Sequence, residues 1–116
     1  MMEAIGQIRE IAAHSYVEGT SCQVHVGAIR PPMEPNAANR DLLERINVLA
    51  VELGMKPLEG KISGGGSDAA YTTRMGIPTI CSIGPCGWDV HTIHERSDVA
   101  TLPVRAKLVA KCICEL

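Results

Sequence analysis

Phenylalanine is absent from this 116-residue chain, and one Trp and two Tyr supply the 3 % of residues that are aromatic. Any core must therefore be aliphatic, built from Ile, Val, Leu, Ala and Met. Positive charge is also in short supply. Eleven Lys and Arg against 13 Asp and Glu give a net charge of -2 and a pI of about 6.0, which excludes the basic footprint of a nucleic-acid binder. No run reaches the roughly 18 apolar residues of a membrane span. Met1-Met2-Glu3-Ala4 lacks the basic and apolar regions of a secretory signal. The expectation is a cytoplasmic protein with neither nucleic acid nor membrane as partner. An even cysteine count is missing too, and the five irregularly spaced cysteines read as reduced thiols rather than disulfides. A chain of this length has room for one small domain.

What is present is concentrated in residues 61–95. Gly64, Gly65 and Gly66 run into Ser67 and Asp68, side chains that can cap a helix starting near Ala69. Gly76 and Pro78 limit that helix to about two turns. Residues 78–83 are a short apolar run with β-branched members, predicted as a buried strand. A Gly84-Pro85-Cys86-Gly87 turn follows, and then a loop carrying His91, His94 and Glu95. Loops that follow strands are where α/β proteins place chemistry.

The remaining segments are simpler. Ile5, Ile8, Ile11 and Ala12 recur at helical spacing, so residues 3–14 are predicted as an amphipathic helix. Residues 22–29 alternate, with Cys22, Val24, Val26 and Ala28 on one face, as in a half-buried strand. Pro31, Pro32 and Pro35 make residues 30–35 an extended connector. A second helix is predicted from a cap at Asn36 or Asn39 to about Leu53, with Leu42, Leu43, Ile46, Leu49, Ala50 and Leu53 on its apolar side and Gly54 as its stop. Residues 56–62 are predicted as a strand. The closing helix runs from Leu102 to about Cys114, with Ser97, Asp98 and Thr101 as candidate caps and Pro103 tolerated in its first turn.

Each chemical signal has a plainer alternative. The glycine loop opening a helix is either an anion site, served by free amides and the helix dipole, or a tight turn. It is not a P-loop, because the Gly-Lys-Ser/Thr element is missing. His91 and His94, with Asp89 and Glu95 nearby, are zinc-binding residue types or solvated loop residues. Cys81, Cys86, His91 and His94 offer a second arrangement, a closed structural zinc site. Cys22, Cys112 and Cys114 read as small buried apolar groups. Arg30, stiffened by the prolines behind it, is either a fork for a carboxylate or a surface residue. His14 and His25 show no partner.

The order of these motifs resembles one family. Ser-Gly-Gly-Gly-Ser-Asp-Ala, Gly-Ile-Pro-Thr, Gly-Pro, His-Thr-x-x-Glu and a closing helix look like the C-terminal part of the zinc-dependent peptidases and deacylases. That family includes glutamate carboxypeptidase, acetylornithine deacetylase and succinyl-diaminopimelate desuccinylase. Arg-Pro-Pro-Met-Glu-Pro-Asn and the second helix look nearest to its carboxypeptidase-like branch. The resemblance implies an α/β fold split into an α+β lid part and an α/β catalytic part. Residues 1–57 would be the latter part of the lid and dimerisation domain, and residues 58–116 the last part of the catalytic domain. It implies His91 as a ligand to one of two zinc ions. It implies Arg30, Gly64, Gly65, Gly66 and Ser67 as contacts to a small peptide or N-acyl amino acid. The family's His-x-Asp and Glu-Glu motifs have no counterpart in this chain, so no catalytic residue is assigned. The expectation is a fragment of an amide hydrolase, inactive alone and self-associating as a homo-oligomer. The alternatives are a dimerisation or interaction module without catalysis, and a structural zinc-binding domain.

Overall fold

The computed structural model describes residues 2–116; Met1, the first residue of the expected lid segment, lies outside the described residues. Among the described residues four helices form: α1 (Met2–Ala12), α2 (Ala37–Glu52), α3 (Ala69–Arg74) and α4 (Thr101–Glu115). The Asn36 side chain accepts a hydrogen bond from the Asn39 amide and so caps α2, which answers one of the donors that every helix start leaves free. Gly54 and Gly76 follow α2 and α3 at φ 73° and 81°, the left-handed conformation that ends a helix without a Cβ penalty.

The core lies where α2 meets α4. Ile46, Leu49 and Ala50 of α2 close around Leu108 of α4, with Leu42, Met55, Leu58, Ile80, Ile83 and Cys112 packed on the margin. Polar contacts reinforce the same junction. Lys111 Nζ reaches Glu52 at 3.0 Å and Glu115 at 2.6 Å, and Arg45 Nη2 donates to the Leu116 carbonyl at 3.2 Å. Asn47 grips the backbone of Leu58 from both sides, accepting from its N–H at 2.6 Å and donating to its carbonyl at 3.0 Å. In this way a helix side chain stands in for a neighbouring strand.

The strands predicted over 22–29, 56–62 and 78–83 do not form. Among the described residues the one ladder is antiparallel, β1 (Gly87–Trp88) with β2 (Arg96–Ser97), in register Gly87 to Ser97 and Trp88 to Arg96. A strand exists only through a neighbouring strand that takes its amides and carbonyls, and among the described residues none lies beside these three runs. The architecture is thus mainly helical with a small antiparallel ladder, the α+β side of the expectation. It is also open. The radius of gyration is 20.3 Å, against about 13 Å for a compact chain of this length. Helix α1 buries no residue, and its apolar stripe is largely open, with Ile8 and Ile11 more than half exposed.

Candidate functional site

Two groups of residues carry the chemistry read from the sequence. The first is the 64–67 loop. Ser67 Oγ accepts from the Ala69 amide at 3.2 Å and the Ser67 carbonyl from the Ala70 amide. The helix start is therefore capped by Ser67, while Asp68 turns outward to Arg30. Arg30 Nε lies 3.4 Å from Asp68 Oδ1 in an exposed ion pair, worth at most about 1 kcal/mol. The Arg30 side chain also lies along Gly66, within 3.5 Å of where a Cβ would stand. A residue 36 positions upstream thus rests on the glycine loop. The Gly65 amide is held by Ser63 Oγ at 3.3 Å. The amides of Gly65, Ala69 and Ala70 already have acceptors within the chain, which leaves fewer donors for an anion than a bare helix start would offer.

Cys81 joins this group. Its thiol lies 3.0 Å from Ser67 Oγ and 3.5 Å from Ser82 Oγ. Hydrogen bonding by Ser67, and then by Ser82, holds the thiol below the ordinary cysteine range. Cys81 is exposed, and so are Cys22 and Cys114. The expectation of buried apolar cysteines fails for Cys22 and Cys114, since no strand forms over residues 22–29 and Cys114 is exposed on α4, and Cys81 is uncovered because the buried strand expected over 78–83 does not form. Cys112, like Cys86, is partly covered, and burial pushes the Cys112 thiol up.

The second group is the loop between β1 and β2. Gly87 approaches the Arg96 carbonyl so closely that an added Cβ would stand 2.8 Å from it, so the ladder requires glycine there. Across the ladder Arg96 stacks 5.9 Å over the Trp88 ring and pairs with Asp89 at 3.4 Å. The loop then turns through two left-handed residues, Asp89 and His91, at φ 56° and 66°. Thr92 Oγ1 and the Thr92 amide both donate to the Asp89 carbonyl. Glu95 Oε2 accepts from the His91 amide at 3.0 Å. Left-handed φ at a residue other than glycine costs on the order of 1–2 kcal/mol, and these bonds offset it. His94 lies with Asp89, Thr92 and Arg96 around a shallow polar depression.

The structure brings Arg30, Gly66, Ser67 and Cys81 into one neighbourhood. No hydrogen bond or ion pair among the described residues joins His91 to it. Among the described residues no three His, Cys, Asp or Glu side chains converge as metal ligands, so Cys81, Cys86, His91 and His94 are not gathered into a closed site.

The sequence profile of Peptidase family M20/M25/M40 matches residues 4–115. The chain belongs to this family. Over 114 residues it is 27 % identical to Carboxypeptidase G2 of Pseudomonas sp. (strain RS-16), a match that covers 97 % of the chain. The chain spans 28 % of the length of that relative. No solved structure matches it.

The M20 family's metal can be tested against the donors present. A catalytic zinc takes three protein ligands and keeps an open position. Here His91 stands on a loop with Glu95, whose carboxylate is engaged by the His91 amide itself. The described residues do not by themselves fit a zinc centre. Sequence reasoning missed Asn39 and Asn47, which tie distant segments to α2. Both are polar residues beside an apolar helical stripe, and that mismatch was the available signal.

Proposed function

We propose that this M20 chain forms part of a zinc-dependent hydrolase that cleaves an amide bond, a peptide or an N-acyl amino acid. Its share would be one ligand, His91, and a carboxylate-gripping wall made of Arg30 with Gly64, Gly65, Gly66 and Ser67. The observation that carries the reading is Arg30 resting on Gly66. A planar guanidinium beside a loop with no side chains leaves room for a carboxylate to meet the fork. The ion pair with Asp68 is exposed and weak, so a substrate carboxylate can displace it. Zinc would supply a polarised carbonyl and an activated water. The remaining ligands and the base must come from outside these 116 residues, so no catalytic step is assigned to this chain alone.

A lid part and a catalytic part belong to the same proposal. The lid part would be residues 1–57 and the catalytic part residues 58–116, with α2 of the first packed on α4 of the second. The test is hydrolysis of a C-terminal glutamate amide in the presence of zinc. It would be run on the chain alone and on a chimaera carrying residues 4–115 in place of the aligned segment of Carboxypeptidase G2. The proposal expects turnover by the chimaera and none by the chain. Metal-dependent turnover by the chain alone would overturn it.

A further inference from the structure

We infer that Asn39 is a positioning residue that fixes the 64–67 loop relative to Arg30, acting through Thr79 and α3 without touching the loop. Its meaning for catalysis rests on the function proposed above; its geometry does not. Asn39 sits in the first turn of α2 and is only 7 % exposed. Its amide donates to Asn36 Oδ1 at 2.8 Å, at the end of the connector that begins with Arg30. Its side-chain Oδ1 accepts from the Thr79 amide at 2.9 Å, 40 positions on, and its Nδ2 lies 3.5 Å from Thr73 Oγ1 on α3.

Those two partners stand on the two segments that support the loop from behind. Helix α3 starts at Ala69, directly behind Ser67 and Asp68. Thr79 stands two residues before Cys81, whose thiol meets Ser67 Oγ at 3.0 Å. A second tie joins the two segments, since Thr79 Oγ1 lies 2.8 Å from Thr72 Oγ1 and Thr72 donates to the Ala69 carbonyl at 2.9 Å. One buried amide therefore joins the start of α2, at the end of the connector that Arg30 begins, to the helix behind the loop and the segment that touches Ser67. A buried amide that answers partners on separate segments is a stringent joint, because each group left unpaired bears its full desolvation penalty. Asn47 makes the same kind of joint to Leu58, eight positions further along α2, and so serves as an internal control.

The test compares Asn39→Leu, Asn39→Asp and Asn47→Leu in the full chain. Thr79 amide exchange is followed by NMR, the pH midpoint of Cys81 alkylation by peptide mass spectrometry, and helix content by circular dichroism. Asn39→Leu should speed Thr79 exchange about tenfold or more and move the Cys81 midpoint up towards that of an ordinary thiol. Asn39→Asp retains an acceptor and should keep Thr79 slow. Asn47→Leu should leave both readouts where they are. An unmoved Cys81 midpoint in a helical Asn39→Leu protein would overturn the inference, and so would an equal shift in Asn47→Leu. Should Asn39→Leu lose its helix signal, fast Thr79 exchange in Asn39→Asp would overturn it instead. Neither readout involves amide hydrolysis, so this inference and the functional proposal fail separately.

Discussion

The thiols of Cys81 and Cys112 have the same chemistry and opposite surroundings. The Ser67 hydroxyl beside Cys81 favours its thiolate, whereas burial disfavours the thiolate of Cys112. A lowered pKa means that the reactive form is present at lower pH. Iodoacetamide should therefore label Cys81 at a pH where Cys112 is still protected, a difference that peptide mass spectrometry reads directly. The reverse order would contradict the Ser67 contact. At His91 the relevant bond is the one from its own amide to Glu95. Glu95→Ala should speed His91 amide exchange about tenfold or more, because a charge-assisted bond is lost from a left-handed turn. Unchanged exchange would show that the turn does not depend on Glu95.

Helices α2 and α4 owe their stability to each other. Leu108 is the one large side chain fully buried among the described residues, so Leu108→Ala should cost about 2–5 kcal/mol and lower the urea midpoint sharply. Leu102→Ala, at a position 52 % exposed, should change stability by about 0.5 kcal/mol or less. Equal effects would mean that the α2–α4 packing is wrongly described. The helices were legible because their signals are local. Asn36 capped α2 as its residue type suggested, Gly54 and Gly76 ended helices, and Leu42, Ile46, Leu49 and Ala50 recurred at helical spacing. The strands were not legible in the same sense. Alternation over residues 22–29 states a preference for one face, but a ladder needs a second run, and among the described residues no such run lies beside it. The β1–β2 ladder was missed for the converse reason: two residues on each side are too few to show a period, and its sign was Gly87, where the backbones approach. Arg30 and the glycines were picked out by motif. Asn39, which ties their elements together, was considered only as a cap.

At the scale of the molecule, the 20.3 Å radius of gyration and the largely open stripe on α1 leave much apolar surface in water. We propose that the chain covers it by self-association, chiefly through residues 1–57. Light scattering at high micromolar concentration should give at least a dimer mass, and a monodisperse monomer would contradict this. Among the described residues no helix is long and apolar enough to cross a membrane. We propose, above all, that this M20 chain contributes His91 as a zinc ligand to a centre completed by other residues. The most direct measurement is zinc content and amide hydrolysis in the Carboxypeptidase G2 chimaera, with and without His91→Ala. The account predicts that His91→Ala lowers bound zinc and cuts turnover by more than the roughly 100-fold that loss of an outer-shell partner costs. Full zinc content and undiminished turnover in the folded His91→Ala chimaera would contradict it.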